Sequence, residues 1–65
     1  MARKKYNLVG VDGNAYSIIG YVRKAMSTEK CSREEINRYL EDAMSDDYHH
    51  LLVVSVAMID KLNYR

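Results

Sequence analysis

The sequence has no proline, phenylalanine or tryptophan, and only three of its 65 residues are glycine. So few breakers of regular structure favour helices over short strands joined by tight turns. Cys31 is the only cysteine, which excludes a disulfide within the chain and is typical of a reducing compartment such as the cytoplasm. The longest apolar stretch, residues 51–59, is about half of a membrane span, so no membrane helix is predicted.

An excess of charge of one sign is also lacking, because ten Lys and Arg residues face nine Asp and Glu residues. A net charge of +1 gives no large field to attract nucleic acid or an anionic membrane. Arg3, Lys4 and Lys5 form a basic tail at residues 1–5 that could follow a phosphate backbone. No predicted helix carries the cluster of basic and amide side chains that reads bases, so nucleic acid is not the favoured partner.

Apolar residues make up 48% of the chain, which predicts one folded domain and not a disordered segment. A domain this short buries only about 60% of the surface that its unfolded chain exposes. Small domains usually complete their stability with disulfides, a metal or a partner subunit. Because disulfides are excluded, the rest of the sequence favours a partner subunit as the source of this additional stability.

Helical periodicity and capping residues predict three short helices, at residues 13–28, 33–44 and 46–62, after an N-terminal segment at residues 6–12. We expect this segment to be extended, either as an ordered strap on helix one or as a strand paired with another copy. Asp12 and Asn14 are good N-caps for helix one, Ser32 and Glu35 form a capping box for helix two, and Ser45 is predicted to cap helix three. The apolar faces of helices one and two are predicted to be Ala15, Ile18, Ile19, Val22, Ala25 and Met26, and Ile36, Tyr39, Leu40 and Ala43.

The third helix has more apolar residues than one buried face needs. Its main face is predicted to consist of Tyr48, Leu51, Leu52, Ser55, Met58, Ile59 and Leu62. Further apolar residues cover the other side of the middle turns, and two short helices cannot surround a third. The sequence therefore predicts a homo-oligomer, most simply across a two-fold axis. The predicted interface consists of Val53, Val54, Val56 and Ala57, together with Ser17 and Gly20, where a glycine inside a helix indicates a close approach.

A glycine-bearing turn, residues 10–14, leads into helix one. Backbone amides at a helix start can bind an anion, although this turn matches neither the P-loop nor the dinucleotide fingerprint. If a small anionic or nucleotide ligand binds, we expect Gly13, Asn14, Tyr16 and Lys24 to contact it. The alternative interpretation is a tight turn and a helix cap without a ligand.

No set of residues predicts catalysis, so the chain is interpreted as a protein without enzymatic activity and without a cofactor. Asp46 and His50 are four residues apart and could touch one metal ion, but two ligands are too few for a structural site. No metal is therefore predicted, and a charged first turn is the alternative explanation. Cys31 could act as a nucleophile only beside a base, and nothing in the sequence places His49 or His50 near it.

The opening run from Leu8 to Ala15, followed by Ile18 and Gly20, resembles a family of very short bacterial and phage proteins to which no activity is assigned. The later residues that carry the same resemblance are Glu34, Glu35, Ile36, Ser45, Asp47, Tyr48, His50, Leu51 and Leu52. Asp46 departs from the family pattern, which often has glycine there. The resemblance implies a small intracellular protein encoded by a phage or prophage, and it implies no activity.

The sequence thus predicts an all-α, non-enzymatic binding protein that works as a homo-oligomer and acts on a host protein. Two alternatives stay open. One is a protein that binds or sequesters a small anionic ligand at the start of helix one. The other is a nucleic-acid accessory protein that uses the basic tail.

Overall fold

The computed structural model describes residues 6–64, and in this range the chain forms three helices and no strand. Helix α1 spans Ala15–Thr28, α2 spans Arg33–Ala43 and α3 spans Tyr48–Asn63. The predicted all-α class with three helices is therefore confirmed. The predicted basic tail, residues 1–5, lies outside the described residues.

The first two helices begin at caps that satisfy their exposed amides. The side chain of Asn14 accepts a hydrogen bond from the Tyr16 amide at 2.8 Å. At α2 the Glu35 amide donates to Ser32 Oγ at 3.1 Å, while the Ser32 amide donates to Glu35 Oε1 at 3.2 Å. This reciprocal capping box is the arrangement that the sequence predicts.

The start of α3 differs from the prediction, because Asp47 and not Ser45 is the N-cap. Asp47 Oδ1 accepts from the His50 amide at 2.9 Å. Ser45 instead donates its hydroxyl hydrogen to the Asp42 carbonyl oxygen at 2.7 Å, near the end of α2. A serine between two helices can bond to a free carbonyl at the end of the first helix or to a free amide at the start of the second. Ser45 bonds to a carbonyl of α2.

Helix α1 ends with two backbone hydrogen bonds around Lys30, which has a φ of 63°. The Cys31 amide donates to the Met26 carbonyl at 2.9 Å, and the Lys30 amide donates to the Ser27 carbonyl at 3.0 Å. This is the Schellman arrangement, in which glycine usually occupies the left-handed position. It turns the chain sharply enough for α2 to begin at Arg33.

The core lies between α1 and α3, which pack on each other more extensively than either packs on α2. Its buried residues are Ile18, Ile19, Val22, Ala25, Met26, Tyr39, Ala43, Leu51, Ser55, Ile59 and Leu62. Only Tyr39 and Ala43 of the four predicted apolar positions in α2 are buried, and the other two, Ile36 and Leu40, are half-buried. Two further predicted core positions of α3, Leu52 and Met58, are half-buried and Tyr48 is 45% exposed.

Residues 6–14 form neither a helix nor a strand, and they contain a turn in which the Val11 amide donates to the Leu8 carbonyl at 3.0 Å. Gly10, the third residue of this turn, has a φ of +91°, which only glycine adopts without strain. Pairing of this segment with another copy stays a prediction.

Tyr6 ties the N-terminal segment to the far ends of α1 and α3. Its amide donates to Asn63 Oδ1 at 2.8 Å, and Asn63 Nδ2 donates back to the Tyr6 carbonyl at 2.9 Å. Its hydroxyl donates to Glu29 Oε2 at 2.6 Å. This hydrogen bond, with partial burial and the charge of Glu29, raises the pKa of Tyr6 to about 12.

Replacing Asn63 with alanine should lower the free energy of unfolding by about 1–3 kcal/mol, because two partly buried hydrogen bonds of about 0.5–1.5 kcal/mol each are lost. Urea denaturation followed by circular dichroism measures this change. Asn37→Ala, at an exposed position of α2, is the control and should have an effect within about 0.5 kcal/mol. Equal effects of the two substitutions would contradict the anchoring role of Asn63.

Candidate functional site

The solvent side of α3 is largely apolar in its middle turns. We call it the outer face of α3, and it consists of His49, Val53, Val56, Ala57 and Asp60. Val53 is 53% exposed and Val56 is 49% exposed, although both lie near the centre of the longest helix. Val9, the most exposed large apolar residue at 85%, lines a shallow depression with Val56 and Asp60. The apolar surface of the outer face therefore continues onto the N-terminal segment.

Three of the four α3 residues predicted to form an oligomer interface belong to this outer face, and the fourth does not. Val54 is half-buried and packs against the core. Two α1 residues were also predicted. The Ser17 hydroxyl donates a hydrogen bond to Asp12 Oδ2 at 3.5 Å. Gly20 lines a groove that also contains Ile36 of α2. The predicted interface is thus not one surface, since Val53, Val56 and Ala57 lie on the outer face of α3 and Gly20 lies in the α1–α2 groove.

Gly20 has open space around it, since a Cβ atom built on it meets nothing within 4 Å. Gly20→Ala should therefore raise the free energy of unfolding by about 0.5–1 kcal/mol through helix propensity alone. Thermal denaturation measures it, with Ser27→Ala on the same groove as a control for helix propensity. A loss of stability or of self-association in Gly20→Ala, but not in the control, would mean that a second chain packs against this glycine.

A second apolar surface surrounds a depression between the start of α1 and the start of α3. Tyr16 is 80% exposed, Met44 57% and Tyr48 45%, and Asp46 and Asp47 line the same depression. Its volume is about 290 Å³, just under the roughly 300–1,000 Å³ of pockets that hold small molecules. We call it the aromatic depression.

Of the four residues predicted to bind an anionic ligand, Lys24 lies apart from the other three. Tyr16 is in the aromatic depression, whereas Lys24 lines the α1–α2 groove with Arg23. The carbonyl oxygen of Gly13 accepts a hydrogen bond from the Tyr48 hydroxyl, which joins the turn before α1 to the start of α3. The side-chain oxygen of Asn14 is used as the α1 N-cap. Gly13 and Asn14 therefore have structural roles in this fold.

His50 lies at the junction of α2 and α3, beside Asp42 and Ser45. Its Nε2 atom is 3.1 Å from Asp42 Oδ1 and 3.4 Å from Ser45 Oγ. A Ser-His-Asp relay needs the carboxylate on one ring nitrogen and the hydroxyl on the other. Here both approach the same nitrogen, so this arrangement joins two helices and is not a proton relay.

The Asp42 carboxylate, chiefly through its hydrogen bond, raises the pKa of His50 above its ordinary value of 6.5. Because the folded protein then holds the proton more tightly than the unfolded chain, the ion pair stabilises the fold below the ordinary pKa. This contribution is lost as the pH rises through the raised pKa of the folded state. NMR titration of the His50 ring should show the raised pKa, and Asp42→Asn should lower it while Glu41→Gln leaves it in place.

The described residues contain no group of three His, Cys, Asp or Glu side chains placed to hold a metal ion. Asp46, which is four residues from His50, accepts a hydrogen bond from the Asp47 amide at 2.8 Å. Cys31 is half-buried and lines a small depression whose other residues are Glu35, Met58, Lys61 and Leu62. Neither histidine is among the residues around this depression.

No protein-family model, curated protein or solved structure matches the chain. The resemblance to short phage proteins therefore stays a prediction. None of the three helices between residues 6 and 64 combines the length and the apolar content that crossing a bilayer requires.

Sequence reasoning did not identify the aromatic depression as one surface. Met44 is only the last residue within the predicted bounds of helix two, and Tyr48 belongs to the predicted main face of helix three. Their separation of four residues across a short connection was the available signal, since the chain reverses between them. That Tyr16 of α1 meets them depends on how α1 packs on α3, which no local pattern gives.

Proposed function

We propose that this chain is a non-enzymatic binding protein that associates with itself through the outer face of α3 and uses a second surface to bind a different protein. The observation that carries the proposal is the position of Val53 and Val56. Both stay half-exposed in the middle of a helix whose opposite side is fully packed. Single exposed apolar residues are common, but adjacent ones on one helix face are typical of an interface.

The single chain leaves apolar surface of α3 unburied. Each Å² of apolar surface removed from water contributes about 25 cal/mol, and the outer face contributes little of this within one chain. A partner that covers Val53, Val56 and Ala57 would recover it. Burial of that surface by a partner would add stability to a 65-residue domain that has no disulfide.

Self-association predicts that stability depends on protein concentration. A chain that folds and dimerises together unfolds at a denaturant concentration that rises with total protein, whereas the midpoint of a monomer is constant. Urea denaturation at about 1 µM and about 100 µM should therefore give clearly different midpoints, because this range spans the affinities of many specific dimers. Identical midpoints, together with a monomeric mass at the higher concentration, would overturn this part of the proposal.

The aromatic depression is the surface that we assign to a protein partner. Exposed tyrosine and methionine are enriched at interfaces because they bury a large apolar area. The carboxylate of Asp46 at its edge favours a partner segment in which an apolar side chain is next to a basic one. The resemblance to phage proteins supports a host protein as this partner, and the single cysteine supports the cytoplasm as the place of binding.

The partner surface is tested by affinity capture from host lysate with quantitative mass spectrometry. Tyr16→Ser should lose the specific partner. Tyr64→Ser, which removes a tyrosine that is also 71% exposed but lies at the other end of the bundle, should retain it. A partner lost equally in both variants, or in neither, would contradict the assignment to the aromatic depression.

A further inference from the structure

The outer face of α3 has a symmetric order of side chains along its centre line. His49, Val53, Val56 and Asp60 follow one another at spacings of four, three and four residues. At 3.6 residues per turn these positions lie within about 60° of one another around the helix axis. The line therefore has a histidine at one end, a carboxylate at the other and two valines between them.

The spacing of these four positions is the same from either end of the helix. Two copies of the helix that run in opposite directions can therefore align all four positions. If two α3 helices lie antiparallel across a two-fold axis at the midpoint between Val53 and Val56, each Val53 faces the other copy's Val56. The same operation brings each His49 opposite the other copy's Asp60. A two-fold axis of this kind makes both contacts twice, which is the isologous form that most dimers take.

The two end residues distinguish this arrangement from a parallel one. The side chains of His49 and Asp60 are exposed, and neither has a hydrogen-bond or ion-pair partner among residues 6–64. The adjacent His50, by contrast, has Asp42 as a partner. A parallel pair would place His49 against His49 and Asp60 against Asp60, and two carboxylates at the same height repel each other. The antiparallel pair places an acceptor opposite a donor at both ends.

We propose that two copies of this chain pair antiparallel through the outer face of α3, with Val53 against Val56 and His49 against Asp60 of the second copy. This inference rests on the proposed self-association and specifies its partner, orientation and register. Val9 flanks the same face beside Val56 and Asp60, so the N-terminal segment lies at the edge of the contact.

Disulfide trapping tests the register. Two variants are made in a Cys31→Ser background, one with His49→Cys and the other with Asp60→Cys. Each variant alone and an equal mixture of the two are then oxidised gently. In the proposed register the two positions face each other, whereas the two copies of position 49 are about 16 Å apart along the helices. A disulfide requires Cα atoms within about 7 Å. We therefore expect the mixed disulfide, identified by mass, in large excess over either homodisulfide.

The other outcomes overturn the proposal in distinguishable ways. Ready formation of the His49→Cys homodisulfide would show a parallel pair. Absence of every disulfide, while the Cys31→Ser parent sediments as a dimer, would place the contact on another surface and leave self-association intact. A parent that stays monomeric at about 100 µM, where even weak specific dimers form, would overturn the register and the proposed function together.

Charge exchange gives a second test that needs no new cysteine. His49→Glu and Asp60→Lys should each weaken the dimer by about threefold to fivefold, as expected for partly exposed pairs. The double variant His49→Glu/Asp60→Lys should restore it, because each new charge then faces the opposite charge. Glu41→Lys, on α2, is the matched control and should leave the dimer unchanged. Additive weakening in the double variant would contradict the pairing of these residues.

Discussion

Replacing Val56 with glutamate should convert the proposed dimer into a monomer and weaken self-association by at least about 100-fold. A charged carboxylate placed in the centre of an apolar contact without a partner costs several kcal/mol, and each 1.4 kcal/mol corresponds to a factor of ten in affinity. Val56 is 49% exposed in the single chain, so the carboxylate stays in water when the chains are apart. Glutamate is also the better helix former, so the fold itself should not be lost.

The size of the effect should depend on position along and around α3. Ala57→Glu, on the flank of the outer face, should weaken the dimer less than Val56→Glu. Asn37→Glu adds the same charge at an exposed site on α2 and should leave the dimer intact. Sedimentation velocity at one concentration compares the four proteins, and a Val56→Glu variant that keeps the mass of the parent would contradict the proposed contact.

Removal of the Ser55 hydroxyl should lower the free energy of unfolding by about 1–3 kcal/mol, the usual cost of leaving a buried polar group without its partner. Ser55 is fully buried, Tyr39 is 3% exposed, and their oxygen atoms are 2.7 Å apart. In Ser55→Ala the Tyr39 hydroxyl stays in the core with no replacement for this bond. Burial raises the pKa of Tyr39, and the hydrogen bond with Ser55 lowers it to a smaller extent.

The converse substitution should cost less. In Tyr39→Phe the Ser55 hydroxyl can turn to a backbone carbonyl one turn earlier in its own helix, which serine and threonine often do. The double variant Tyr39→Phe/Ser55→Ala should then be more stable than the sum of the two single effects predicts. Urea denaturation of the four proteins closes this cycle, with Ser27→Ala as an exposed serine control. Strict additivity would show that the 2.7 Å contact contributes nothing of its own.

Local patterns in the sequence predicted the helices because each helix follows from residues close together in the chain. The apolar period of α1 predicted all five of its buried residues, and Ser32 with Glu35 predicted the start of α2. The start of α3 was misplaced because Ser45, Asp46 and Asp47 are all good caps. The choice among them depends on where α2 ends and which of its carbonyls need a donor.

Contacts between distant residues could not be predicted in the same way. Ser55 was assigned to the buried face, but its partner Tyr39 is known only once α2 packs on α3. The anchoring of Tyr6 by Asn63 joins residues 57 positions apart, and nothing in either neighbourhood indicates it. Tyr16 and Lys24, two of the four predicted ligand residues, both belong to α1 but line the aromatic depression and the α1–α2 groove respectively, which is known only once the other helices pack on α1.

Sedimentation equilibrium of the unmodified chain, from low to high micromolar concentration, tests the central claim most directly. The outer face of α3 leaves Val53 and Val56 half-exposed, and we expect a second copy to cover them. The weight-average mass should therefore rise with concentration from the 7.5 kDa of one chain towards twice that value. A mass that stays at 7.5 kDa over the whole range would contradict self-association through α3.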